Sequence, residues 1–392
     1  MKRIGLGVGA LVVAAVAAFL MIAPGYVERD MNPVTMPAEG WPVGPRAQAL
    51  HDRLVIGDWH SDALLWDRDL LRRVDRGHAD VPRLLEGNMA LQVFTTVTKS
   101  PRGQNYDQNS TAAGDNITPL FIGQLRPVRA WGSLRERALV QAEALQRAAD
   151  RAPDRLMIIR SRGDLQDLLA RRAAGEQVLG ALLGSEGGHP LEGDPANLDV
   201  LYDAGFRLMG LTHFFDNELG GSLHGEGGSG DGLSKFGREV VQAMVARGMI
   251  IDVTHAAPQM VEDVLALPGT RPVLSHTGIA SHCPSPRNLP DELVARIAGA
   301  GGIIGIGFWS DVVCGTTPAD VARAIVAAIE VAGEDHVSLG SDWDGSVDVP
   351  FDAAHLPALT QALLDQGLDE AQIAKVMGGN MMRYLAEMLP DA

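Results

Sequence analysis

Eight short apolar runs separated by helix-like stretches predict an α/β chain folded as a (β/α)8 TIM-type barrel. Two further observations fit a parallel βα repeat with a site at its strand ends. The runs are apolar nearly throughout, as parallel strands buried on both faces must be, and polar residues gather where the runs end, at the barrel face that carries chemistry. The rival is an open, doubly wound sheet, which usually has a glycine-rich phosphate turn after its first strand. Asp58-Trp59-His60 is no such turn.

At the N-terminus, Met1-Lys2-Arg3 precedes an uncharged run, IGLGVGALVVAAVAAFLMIA, that extends to Ala23. About 20 apolar residues match the thickness of a bilayer core, so residues 1–24 are expected to form a transmembrane anchor. Lys2 and Arg3 before the run, with Glu28 and Asp30 after it, leave the rest of the chain on the outer side. Four lysines against twenty-nine arginines read as the base composition of a bacterial genome. The expected location is therefore the bacterial inner membrane, with the main domain periplasmic or extracellular. Small residues near Ala17 and Ala18 leave open a cleaved signal peptide and secretion to the periplasm. Residues 25–45, with Pro33, Pro37, Pro42 and Pro45, read as a Pro-rich tether, and residues 46–392 as the barrel domain.

Within that domain the expected strands occupy residues 54–58, 91–97, 179–185, 206–212, 249–254, 272–275, 302–308 and 337–341. Amphipathic segments such as KFGREVVQAMVAR, Lys235 to Arg247, and DELVARIA, Asp291 to Ala298, supply the crossovers. Residues 99–132 form a long insertion after the second strand, a candidate lid or interface loop. GGSLHGEGGSGDG, Gly220 to Gly232, reads as a flexible loop.

Composition narrows the partners. At 392 residues and 46% hydrophobic, the chain can bury a large core. A net charge of -16, with no basic block after the N-terminus, argues against nucleic acid and for small molecules. The two cysteines, Cys283 and Cys314, form no metal motif, and a bridge between them is left open.

The stretch LVIGDWHSD ends an apolar strand in two potential ligands. Side chains alternate in an extended chain, so His60 and Asp62 share a face while Ser61 points away. Other strand ends add Glu186 of GSEGGH, His213 of LTHFFDN, His255 of DVTH, His276 of LSH and Asp342 of SDWDG. A single histidine at a strand end is usually structural, but several converging on one barrel face point to a metal centre. One glutamate bridging two ions would give each a mixed set of nitrogen and oxygen ligands, which suits zinc. His189, His224 and His282 lie near these motifs and are assigned no role; Asp252 and Asp344 are expected to support neighbours.

Taken together, HSD, SEGGH, GFRLMGLTHFFDN, GLSKFGREVVQAMVARGMIIDVTH, SHTGIASHCPSPRNLPDE and GSDWDG resemble the motif set of the membrane (renal-type) dipeptidases, which are metal-dependent amidohydrolase barrels. The resemblance runs from about residue 46 to 388. It implies zinc-dependent hydrolysis of dipeptides. His60 and Asp62 would bind one zinc, His255 and His276 the other, and Glu186 would bridge them. It further implies that His213 contacts substrate, that Arg287 lies near the substrate carboxylate, and that Asp342 is the acid/base residue. The insertion 99–132 and the Gly-rich loop differ from the mammalian pattern, which puts substrate preference in question.

The chemistry agrees with these roles. Two cations lower the pKa of a bridging water, supply a hydroxide nucleophile and polarise the scissile carbonyl. Asp342 can move the water's proton to the leaving amine, His213 can donate to the oxyanion, and the planar fork of Arg287 suits a carboxylate. Two alternatives follow. One is a related amidohydrolase acting on a cyclic amide, lactone or β-lactam; the other is a catalytically silent binding protein, which a missing ligand would mark. None is missing. Expected partners are small dipeptides and, through the N-terminal segment, the membrane, with a homodimer also admissible.

Overall fold

The computed structural model describes residues 19–391, apart from residues 21 and 228–230. Nine parallel strands form its framework: β1 Ile56–Asp58, β2 Met89–Val97, β3 Leu156–Ile158, β4 Leu179–Glu186, β5 Phe206–Gly210, β6 Ile250–Asp252, β7 Val273–Thr277, β8 Ile303–Ile306 and β9 Val337–Leu339. Neighbours run in the order β2-β1-β9-β8-β7-β6-β5-β4, and pairing of β2 with β4 closes the ring. This is the eight-stranded barrel expected from the apolar runs. The ninth strand, β3, was not expected. Its three residues pair with the start of β4, from Leu156 opposite Leu179 to Ile158 opposite Ala181, outside the closed ring. It sits between helices Leu134–Arg151 and Arg162–Ala173, one strand more than a closed eight-stranded ring requires.

The strands read apolar because they are buried on both sides: every residue of β2 and β4 is buried. The β2 register runs from Leu91 opposite Gly180 to Val97 opposite Glu186, which delivers Glu186 to the top of the barrel. Glycine is required where strands crowd around Ser275. A methyl group on Gly340 would meet Ser275 O at 1.9 Å, and one on Gly305 would meet it at 2.2 Å. The expected helix Lys235–Arg247 forms as read, opened by the Ser234 side chain accepting from Gly237 N and closed by Gly248 at φ 65°.

Most of the expected anchor, residues 1–18 and 21, lies outside the described residues. Among the described residues no helix is long and apolar enough to cross a membrane. Residues 22–31 are helical, and the Pro-rich stretch that follows lies against the barrel: Val34 bridges Val349, and Trp41 Nε1 donates to Pro350 O at 2.8 Å. A buried charge secures it. Glu28 accepts from Arg76 Nε at 2.5 Å and pairs with Arg68, whose guanidinium also pairs with Asp344. Asp344 in turn accepts from His78 N at 2.7 Å and Ala79 N at 3.1 Å. Asp344 therefore holds a loop, as its place in the sequence suggested.

Candidate metal centre

The strand-end residues converge at the C-terminal mouth of the barrel. Glu186 Oε1, at the end of β4, lies 3.3 Å from His255 Nε2, 3.4 Å from His213 Nε2, 3.5 Å from His276 Nε2 and 3.6 Å from His60 Nε2. The same His60 Nε2 is 3.5 Å from Asp62 Oδ1 and 3.8 Å from Asp342 Oδ1. Three overlapping groups can each direct ligand atoms to a common point: His60 with Glu186 and His276, Glu186 with His213 and His255, and His60 with Asp62 and Asp342. His60, Asp62, Glu186, His255, His276, His213 and Asp342 are thus brought together, and all are buried.

Supporting hydrogen bonds aim the rings. Ser275 Oγ donates to Asp252 Oδ2 at 2.6 Å and accepts from His276 Nδ1 at 2.9 Å, so the His276 Nε2 lone pair faces the centre. Asp252 therefore acts behind the ligands, in the supporting role its sequence position suggested. Thr95 Oγ1 donates to Asp62 Oδ1 at 2.6 Å. His255 and Asp342 hold left-handed backbone, at φ 64° and 57°, a conformation that residues other than glycine adopt seldom, asparagine, aspartate and histidine most readily.

The electrostatics fit a divalent cation. Burial, then Asp62, raises the Glu186 carboxyl well above its usual range, against the pull of His60. Burial also dominates at Asp342, lifting it to about 8, with Asp62 adding to the rise and His60 opposing it. Burial opposes charge on His60 too, yet Asp62 and Glu186 outweigh it and raise that ring to about 10. His255 and His276 are pushed well below the usual imidazole range by burial, and Arg287 adds to the shift at both. Clustered carboxylates thus call for positive charge among them, and inward-facing neutral imidazoles offer lone pairs to it, the donor set of a divalent metal.

The centre floors a cavity of about 640 Å³. Arg287 is buried in its wall, where Nη2 donates to His276 O at 2.9 Å and the guanidinium lies 5.6 Å from the Trp309 ring centre. A disulfide joins Cys283 and Cys314, settling the bridge the sequence left open and tying the Arg287 loop to the Trp309 loop. The sequence reading missed Tyr106, which the insertion 99–132 places in the cavity wall, where its hydroxyl accepts from Trp309 Nε1 at 3.0 Å. Nothing periodic marks that position. His224, given no role, stacks on Phe214 at 5.2 Å, and His189 packs on Phe215 at 4.7 Å.

Comparisons with known proteins agree with this geometry. Residues 45–389 match the family described as Membrane dipeptidase (Peptidase family M19). A protein named dipeptidase ataJ from Aspergillus terreus is 26% identical over 379 residues, covering 88% of this chain and 87% of that protein. Among solved structures, the probable dipeptidase PvdM from Pseudomonas aeruginosa superposes with a TM-score of 0.73 at 20% identity, covering 89% of this chain and 100% of that one. A metallo peptidase from Rhodobacter sphaeroides, liganded with a phosphinate mimic of the dipeptide L-Ala-D-Ala, superposes with a TM-score of 0.69 at 23% identity, covering 86% and 99%.

Proposed function

The chain belongs to the membrane dipeptidase family, peptidase family M19, and on that premise we propose that this metallo-hydrolase cleaves dipeptides with two zinc ions as cofactor. The observation that supports the reading is Glu186 Oε1, one carboxylate oxygen within 3.3–3.6 Å of four imidazole nitrogens, which suits a carboxylate shared between two ions. In this reading His60 and Asp62 hold one ion, and His255 and His276 the other. When bound, such ions supply Lewis acidity and activate water near neutral pH.

The chain's own residues do the rest. Arg287 directs its guanidinium into the cavity wall, where a planar fork binds a substrate's terminal carboxylate and restricts length. Asp342 shuttles the proton: its burial favours holding one, and its place beside His60 puts it at the reacting centre. His213 contacts the substrate. Its Nδ1 faces Lys99 O at 3.3 Å, which places the proton there and leaves Nε2 an acceptor; donation to an oxyanion requires the other tautomer.

We place the catalytic domain outside the bacterial inner membrane, held by the uncharged N-terminal run. The Cys283–Cys314 disulfide supports an oxidising compartment. The test is turnover of a dipeptide panel, with L and D residues at the C-terminal position, against a panel of lactams and lactones. Dipeptide cleavage alone supports the reading. Turnover of the cyclic panel alone would replace it with the related amidohydrolase.

A further inference from the structure

The helix at residues 22–31, with the described residues just before it, presents three different faces. Leu20, Ala23, Val27 and Met31, spaced by three or four, line the same cavity as Glu186 and Arg287. Glu28 and Asn32 are buried against the barrel, where Asn32 Oδ1 accepts from Ser346 N at 2.9 Å. The third face points outward: Ile22 and Tyr26 are 66% and 67% exposed, and Phe19, 67% exposed, stands where this face meets the cavity mouth. A second apolar edge lies beside it. A methyl group on Gly123 would touch Pro24 at 3.9 Å, and the residues that follow include Leu125 and Val128, 68% and 71% exposed.

We propose that this apolar rim seats the mouth of the catalytic cavity on the bilayer, so that the site takes carboxylate-bearing amides with an apolar group from the lipid surface. Continuity of the chain identifies the occupant. The uncharged run at residues 4–23 leads directly into this helix, and no charged residue follows Arg3 until Glu28. Phe19 and Ile22 belong to that run and Tyr26 follows its end by three residues, so a bilayer entered by the run meets the rim and the cavity wall together. An exposed tyrosine at that level suits the interface. Residues walling the cavity continue the same apolar helix, so a substrate's apolar group passes from lipid to cavity without crossing water.

The substrate arm rests on the dipeptidase reading; the contact with lipid does not. The test uses the full chain reconstituted in vesicles of phosphatidylcholine and phosphatidylglycerol. A fluorophore is attached through Leu125→Cys, Val128→Cys or, as a control beyond the opposite end of the barrel, Gln177→Cys. Nitroxide-bearing acyl chains are expected to quench the first two labels several-fold more than the third. Equal quenching at all three sites overturns the proposal, as does cross-linking between copies through position 125 without quenching, which would assign the rim to self-association. Independently, the combined variant I22S/Y26S/L125S/V128S is expected to cleave a soluble dipeptide at the wild-type rate, but to lose roughly tenfold in kcat/KM on a long-chain N-acyl amino acid held in vesicles. Equal loss on both substrates overturns delivery from lipid. Quenching without any dipeptide turnover would leave the seating intact and reject the dipeptidase reading alone.

Discussion

His255 Nε2 lies 3.1 Å from His276 Nε2, with Glu186 Oε1 within 3.5 Å of both. Two neutral rings meeting through the same atom beside a carboxylate are arranged for a shared cation. The full-length protein is expected to carry about two divalent ions per chain, because five ligand side chains exceed the needs of one tetrahedral zinc with an open position. Glu186→Ala should lose both, while Asp62→Ala should lose chiefly one. Elemental analysis measures this, and a metal-free, active protein would reject the centre.

Asp342 and Arg287 are expected to fail in different ways. Asp342→Asn keeps the shape but cannot take a proton, so kcat should fall by roughly 10²–10⁴-fold with KM little changed. Metal content decides a second question: retained metal supports a proton shuttle, whereas loss of one ion would make Asp342 a ligand beside His60. Arg287→Met should raise KM by about one to two orders of magnitude for dipeptides with a free carboxylate. For C-terminally amidated dipeptides the variant and wild type should be alike.

Arg68 joins Glu28 to Asp344, and all three side chains are at most 2% exposed. Arg68→Met leaves both carboxylates buried without that guanidinium and should destabilise the protein by about 3–5 kcal/mol. Urea denaturation tests this. Arg29→Met, which removes an exposed pair with Asp75, should leave the midpoint unchanged.

Reduction of Cys283–Cys314 is expected to remove about 2–4 kcal/mol of stability by freeing the 31-residue separation it closes. Melting with and without reductant measures the change. Cys283→Ser should reproduce it and become insensitive to reductant.

Acid should destabilise the fold through two histidines that are not among the candidate metal ligands. Burial lowers the pKa of His51 and of His78. Their rings take up protons less readily in the folded protein than in the unfolded chain, which does so below about pH 6.5. Stability is therefore retained above that pH and lost as pH falls through it, by at most about 1.4 kcal/mol per pH unit for each ring, until the folded ring also takes up its proton. Denaturation series between neutral and mildly acidic pH should show the slope, and His51→Gln should reduce it.

Much of the centre was legible because a barrel turns strand ends into a site: His60, Asp62, Glu186, His213, His255 and His276 each follow an apolar run directly. What escaped had no such marker. Tyr106 reaches the cavity from an insertion whose path depends on contacts such as Asn109 N donating to His224 O at 2.7 Å. Glu28 looked like a tether charge because its partners Arg68 and Asp344 are distant in the chain and meet it only after folding. The strand β3 escaped because it lies outside the closed eight-stranded ring against which the apolar runs were read.

The left-handed backbone at His255 bears on how such a chain would age once released from selection for catalysis. That residue keeps a conformation that costs on the order of 1–3 kcal/mol and that glycine relieves. Lineages that abandon the reaction should therefore acquire glycine or asparagine at this position early, becoming more stable as they become inert. Decay of this enzyme would be recorded first as a gain in robustness, at one site in the mouth of an otherwise unaltered barrel.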